Sequence, residues 1–161
     1  EGKGSTFIIT LPFEVAQETK KVESLPAEET SSICGLNLLL AEDNELNAEI
    51  AEVLLKDEGA RITLVKDGQQ AFDAFARSKP GTFDAILMDI MMPNMNGITA
   101  TKRIRAMNRQ DAKNIPIIAM TANAFDEDAR RCMEAGMNAH LPKPFQMEKV
   151  IETIAKFCKN K

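Results

Sequence analysis

Apolar residues occur along this chain in two rhythms, and the change between them marks where regular structure begins. From about Leu36 onward, short apolar runs alternate with amphipathic stretches. The runs are Leu36–Ala41, Ile62–Val65, Ala85–Met88, Ile115–Met120 and Ala139–Leu141. None alternates strictly with polar residues, so most read as strands covered on both faces. The stretches between them have helical spacing. Leu46, Ile50, Val53 and Leu54 fall on one face of the first. Met147, Val150, Ile151, Ile154 and Phe157 do the same in the last. Asn44 suits the N-cap of the first helix, and Gly59 and Gly136 suit helix stops. Five strands alternating with five helices predict an α/β, doubly wound parallel sheet with right-handed crossovers.

Ahead of that region the rhythm differs. Gly4–Phe13 contains a short apolar, β-branched run that reads as a strand. Glu14–Ser32 is acidic and polar, with Pro26 and a Ser/Thr cluster, which is linker composition. The boundaries drawn are residues 1–13 for the strand piece, 14–34 for the linker and 35–161 for the regular domain. The chain opens at Glu1 rather than Met, inside what looks like a strand piece, and is expected to be part of a longer protein.

Composition narrows the possible functions. At 161 residues there is room for one ordinary domain and some extra length. The net charge of −4 argues against a nucleic-acid-binding module, which needs a basic patch or stripe. No apolar run approaches the roughly 20 residues of a membrane span, and no secretory signal opens the chain. A cytoplasmic setting without direct membrane contact is the expectation. Cys34, Cys132 and Cys158 have no metal-like spacing and read as reduced thiols. Gly2-Lys3-Gly4 lacks the spacing and hydroxyl residue of a phosphate-binding loop and is set aside.

In an open parallel sheet, ligands bind beyond the carboxyl ends of the strands. The first run is followed by Glu42 and Asp43; Asp89 ends the third, Thr121 the fourth and Lys143 the fifth. Three carboxylates, a hydroxyl and an ammonium therefore converge on one rim. Crowded carboxylates repel until protons or a cation balance them. Oxygen ligands without His or Cys select a hard ion, and Mg²⁺ suits a few carboxylates with waters and a phosphate. A carboxylate can attack phosphorus to form an acyl phosphate, with a Lys and a Thr neutralising and hydrogen-bonding the phosphoryl oxygens. The set is complete for phosphoryl transfer to an aspartate.

Four segments, LLLAEDNELN, AILMDIMMPNMNG, IIAMTANAF and HLPKPF, occur in that order and resemble the signatures of response-regulator receiver domains. The resemblance spans about Gly35 to Lys159 and implies the flavodoxin-like receiver fold with strand order 2-1-3-4-5. It further implies that Glu42, Asp43, Asp89 and the backbone carbonyl of Met91 hold Mg²⁺, with Mn²⁺ able to substitute. Asp89 is then the phosphoacceptor. Thr121, Lys143 and the backbone amides of Met91 and Ala122 bind the phosphoryl group, and Lys143–Pro144 is a cis peptide. Thr121 and His140 form the conformational switch, although His140 stands where the family often has Tyr or Phe. Met91 and Asn123 occupy the positions that tune self-dephosphorylation. The implied partner is a histidine-containing phosphotransfer protein or the phospho-histidine domain of a kinase. GKGSTFIITLPF resembles the last strand region of the histidine-kinase ATP-binding domain, so the whole points to a receiver within a hybrid histidine kinase.

Each of these residues also has a plainer reading. Glu42 and Asp43 could be helix N-terminal acids favoured by the dipole, Thr121 a cap, and Met91, Met92 and Met95 an adaptable apolar surface. Three rival functions can be set against the phosphoacceptor. An Asp-nucleophile phosphatase needs an acid two residues after the nucleophile, where this chain has Met91. A flavodoxin-type FMN carrier needs a hydroxyl- and glycine-rich phosphate loop where Glu42-Asp43 stands, and the chain has neither Trp nor Tyr to stack on a flavin. The third is a degenerate receiver acting as a phosphorylation-independent interaction module.

Overall fold

The computed structural model describes residues 32–121, 126–144 and 146–158, which lie within one compact unit, Ser31–Lys161. Five strands, β1 (Asn37–Ala41), β2 (Arg61–Val65), β3 (Ala85–Asp89), β4 (Ile117–Thr121) and β5 (Ala139–Pro142), form one parallel sheet of order β2-β1-β3-β4-β5. Six helices connect or follow them: α1 (Glu45–Asp57), α2 (Gly68–Arg77), α3 (Gly97–Arg105), α4 (Gln110–Asn114), α5 (Asp126–Glu134) and α6 (Met147–Cys158). The extra helix is the one-turn α4, too short to register as a periodic pattern, and with α3 it makes the crossover from β3 to β4.

Because side chains alternate across a strand, consecutive strand residues feed two separate cores. Leu39, Ala41, Ile86, Met88, Ile117 and Ala119 pack against Ala71 and Phe75 of α2 and Ile104 of α3. Leu38, Leu40, Leu87, Ile118 and Met120 pack on the opposite face against Leu55 of α1 and Val150 and Ile154 of α6. The central strands β3 and β4 are buried throughout, whereas the edge strand β2 exposes Arg61 and Thr63. Asn44 caps α1 by accepting the Asn47 amide at 3.0 Å. Gly59 and Gly136, past the ends of α1 and α5, have φ of +84° and +95°, the left-handed conformation that favours glycine.

Two expectations need correction. The Leu46–Ile50–Val53–Leu54 face of α1 does not enter the core: these side chains are 65, 48, 51 and 39 % exposed. The face against the sheet is Ala48, Ala51 and Leu55, two small residues that let the helix axis come close and one leucine that fills the core. The linker also ends earlier than drawn, since Ile33 is fully buried in the α1–α6 core. A domain starting at residue 35 would forgo roughly 2 kcal/mol of burial from that side chain. The strand piece 1–13 and the linker up to residue 31 lie outside the described residues.

Candidate functional site

Strand register brings the chemistry together. Ala41 pairs with Met88, so Glu42, one residue on, comes level with Asp89 at the carboxyl edge of β1 and β3. Asp89 pairs with Met120, which sets Thr121 one step further along the neighbouring strand. Thr121 pairs with Pro142, and the Lys143 amide donates to the Thr121 carbonyl at 2.7 Å, so Lys143 leaves β5 directly over the rim. Turn chemistry does the rest. The Ile90 amide donates to the Met120 carbonyl and the Gly97 amide to the Ile90 carbonyl, folding the loop after Asp89 back over the strand end. A side chain at Gly97 would place its Cβ 2.1 Å from the Asp89 carbonyl oxygen, so the approach of α3 to β3 requires glycine there.

Glu42 and Asp89 are buried at 2 and 5 % exposure, and Asp43 faces solvent. One carboxylate oxygen from each of the three lies within 4.8 Å of the others. Lys143 Nζ donates to Asp89 Oδ2 at 2.7 Å and to Glu42 Oε2 at 2.5 Å. The remaining oxygens are engaged as well. Glu42 Oε1 accepts Asn47 Nδ2 at 3.2 Å, and Asp89 Oδ1 accepts the Met91 amide at 3.2 Å. Burial by itself would lower the Lys143 ammonium. The hydrogen bonds and charges of Asp89 and Glu42 outweigh it and hold the group above its ordinary value. Lys143–Pro144 is cis, as the resemblance implied.

Charge counting tests whether a metal fits. Three carboxylates and one ammonium leave two negative charges at a site with two of its carboxylates buried, and every donor is oxygen. That is the donor chemistry of a hard divalent cation such as Mg²⁺, and it suits neither zinc nor a soft metal. Glu42, Asp43 and Asp89 would hold it.

Most of the residues picked out from sequence meet here: Glu42, Asp43, Asp89, Thr121, Lys143 and the Met91 backbone. Thr121 is buried at the end of β4. The Met91 side chain is 74 % exposed and points away from the core. His140 lies on β5 opposite Ala119 with its side chain exposed, so it is not packed into the core in this state. Ala122 and Asn123 fall outside the described residues. Sequence reading missed Asn47, which occupies one Glu42 oxygen, and Asp67, which reaches the loop after Asp89. A helix-capping Asp before Gly68 was the available signal for Asp67; nothing in the local pattern distinguishes Asn47.

Among the described residues no helix is long and apolar enough to cross a membrane. Cys34 is exposed, Cys132 buried and Cys158 partly buried.

Comparison with known proteins agrees with this geometry. A family model described as the response regulator receiver domain matches residues 38–155. A hybrid signal transduction histidine kinase I of Dictyostelium discoideum is 39% identical over 125 residues, 76% of this chain and 7% of that protein. The osmosensing histidine protein kinase SLN1 of Saccharomyces cerevisiae is 38% identical over 126 residues, 76% of this chain and 10% of that protein. The chain thus spans a small part of the length of these relatives. Among solved structures, the receiver domain of sensor histidine kinase PA1611 from Pseudomonas aeruginosa, with magnesium coordinated in its active-site cleft, is 40% identical with a TM-score of 0.71. That alignment covers 78% of this chain and 99% of that one. The receiver domain of Ssk1, solved with the histidine phosphotransfer protein Ypd1 of Saccharomyces cerevisiae, is 27% identical at TM-score 0.68, covering 77% and 89%. With its sheet order, its acidic rim and a family match over most of its length, the chain belongs to the response regulator receiver domains, the receiving modules of two-component phosphorelays.

Proposed function

We propose that Asp89 is the phosphoacceptor, taking a phosphoryl group from a phospho-histidine. The observation that carries this reading is the Asp89 carboxylate itself. It is buried at the end of β3, with one oxygen on the Lys143 ammonium and the other on the Met91 amide, beside two further carboxylates. In the reaction an Asp89 oxygen forms a bond to phosphorus as the P–N bond to the donor imidazole breaks, leaving that nitrogen with the electron pair. Lys143 and Thr121, with the Met91 and Ala122 amides, neutralise and hydrogen-bond the phosphoryl oxygens. Glu42, Asp43, Asp89 and the Met91 carbonyl would hold Mg²⁺, or Mn²⁺ in its place, which would supply positive charge to offset that of the carboxylates and the phosphate.

Thr121 and His140 carry the conformational response, and Met91 and Asn123 set how long the phosphoryl group lasts. Met91 stands where an Asp-nucleophile phosphatase needs its proton donor, and a thioether gives up no proton, so the reaction stops at the acyl phosphate or turns over slowly.

The partner we infer is a histidine-containing phosphotransfer protein or a kinase phospho-histidine domain. The exposed Leu46, Ile50, Val53 and Leu54 of α1 form an apolar face of the kind that marks an interaction site. A groove of about 400 Å³ between Ile50, Leu54, Pro144 and Met147 runs from that face to Lys143, so a partner seated there reaches the acceptor. The parent protein is in this reading a hybrid histidine kinase, with the receiver domain working in the cytoplasm. Residues 1–13 are the end of its ATP-binding domain and the residues before Ser32 a linker.

Incubation with acetyl phosphate and Mg²⁺ tests the acceptor. Intact mass should rise by one phosphoryl group that is acid-stable and alkali-labile, and Asp89→Asn should take none. A label that persists in Asp89→Asn overturns the assignment. With a phosphorylated phosphotransfer protein as donor, Ile50→Ser should slow transfer while leaving labelling by acetyl phosphate unchanged.

A further inference from the structure

The loop between Asp89 and α3 must present both the carbonyl and the amide of Met91 to the acceptor, yet its sequence, Ile90-Met91-Met92-Pro93-Asn94-Met95-Asn96, offers little to hold it. Its ends are tied to the sheet by the Ile90 amide on Met120 and the Gly97 amide on Ile90. Its middle is held from elsewhere, by the corner where β2 turns into α2. The Gly68 amide donates to the Met95 carbonyl at 3.0 Å. A Cβ at Gly68 would sit 2.4 Å from that same oxygen and 3.0 Å from the Asn96 carbonyl, so the corner and the loop are in direct backbone contact. One residue earlier, Asp67 is 6 % exposed. Its Oδ1 caps α2 by accepting the Gln70 amide at 2.7 Å. Its Oδ2 accepts Asn94 Nδ2 from the loop at 3.0 Å and also Gln70 Nε2 at 3.3 Å. Asn94 has φ of +60°, the left-handed conformation that Asn and Asp tolerate better than other non-glycine residues.

We propose that Asp67 is a positioning residue for the acceptor site, fixing the Asp89 loop through Asn94 so that the Met91 backbone faces the metal and the phosphoryl group. This rests on the phosphoacceptor reading above and adds to it a residue on a different strand connection. A neutral cap would serve α2 as well; the second oxygen has its use in the loop. Burial alone would raise the Asp67 carboxyl. The hydrogen bonds from Gln70, Asn94 and Gln69 outweigh it and keep the group below its ordinary value, so Asn94 is held by an ionised acceptor. Bonds of that kind are about twice as strong as neutral ones. The loop is thus held at the Asn94 side chain and at the neighbouring Met95 carbonyl, which narrows the orientations open to the carbonyl of Met91 three residues earlier.

The two oxygens of Asp67 do different work, which makes the test clean. Asp67→Asn keeps an oxygen for the α2 cap and replaces the acceptor for Asn94 with a second donor. Asn94→Asp sets two carboxylates face to face. The double exchange, Asp67→Asn with Asn94→Asp, restores one donor and one acceptor with the direction reversed, and Asp tolerates the left-handed backbone. Calorimetry measures Mg²⁺ affinity, intact mass follows phosphorylation by acetyl phosphate, and urea unfolding followed by circular dichroism reports stability. Each single variant should lose roughly tenfold in Mg²⁺ affinity, with a parallel loss in phosphorylation rate, and the exchange should recover most of both. Single variants that melt earlier but bind Mg²⁺ and accept phosphate as the parent does would show Asp67 to be structural only and overturn the proposal. A folded exchange variant that recovers nothing also overturns it. A parent protein that neither binds Mg²⁺ nor takes a phosphoryl group would remove the phosphoacceptor reading itself, a result distinct from intact parent behaviour with indifferent variants.

Discussion

Replacing Lys143 by Met removes the ammonium shared by two buried carboxylates while keeping a side chain of similar length. In the parent, Lys143 Nζ lies 2.7 Å from Asp89 and 2.5 Å from Glu42, whose side chains are 7 and 2 % exposed. Breaking a buried pair from one side costs about 3–5 kcal/mol, because the abandoned charge stays in low dielectric. Here the abandoned groups keep the Met91 amide and the Asn47 side chain as donors, so the lower end, about 3 kcal/mol, applies. The same substitution leaves the rim more negative and frees the oxygens that Lys143 occupies. Mg²⁺ should therefore bind Lys143→Met more tightly than the parent and restore part of the lost stability. At a hundred times its dissociation constant it restores about 2.7 kcal/mol by mass action. The assay is urea unfolding followed by circular dichroism, since the chain has no Trp or Tyr for fluorescence, in metal-free buffer and in millimolar Mg²⁺. A sodium control at equal ionic strength separates site binding from screening. The reasoning fails if the metal-free loss is under about 1 kcal/mol, or if Mg²⁺ stabilises parent and variant equally.

Two further expectations concern the frame around the site. Asp111 accepts two hydrogen bonds from Arg109, which hold its carboxyl at about 2, below its ordinary 3.8. Its stabilising share is present above pH 4 and is lost as pH falls toward 2; Asp111→Asn should remove about 1 kcal/mol at neutral pH, screening included, and flatten the acid limb of the stability curve. Equal acid sensitivity of parent and variant would discount the pair. Thr101 is fully buried, and among the described residues its hydroxyl has no hydrogen-bond partner, so Thr101→Val should stabilise by about 1 kcal/mol, read as a higher thermal midpoint, and a lower midpoint would mean the hydroxyl is satisfied in solution.

Much of the site was legible because a parallel sheet converts sequence position into spatial position. Whatever follows an apolar run sits at one rim, so Glu42, Asp43, Asp89, Thr121 and Lys143 group together from their positions in the sequence alone. Strand length and register then had to be right only to about one residue, and buried strands such as Ile117–Thr121 keep register because a slip would exchange their two faces. The apolar face of α1 shows where pattern reading stops. Leu46, Ile50, Val53 and Leu54 look like a core stripe, and nothing local distinguishes a stripe buried in the same chain from one left for a partner. Only the packing of α1 against β1 and α6 decided that, because the face turned to that space is Ala48, Ala51 and Leu55, which leaves Leu46, Ile50, Val53 and Leu54 outside. Asn47 on Glu42 and Asp67 on Asn94 were hidden for a related reason. A hydrogen bond depends on distances of about 3 Å between groups 5 and 27 residues apart, and no period in the sequence encodes such a distance. Local pattern was enough to place the strands, the rim and its charges. The tertiary structure decided which helix face meets water and which polar groups hold the site in place, since both depend on the space left between elements once they have packed.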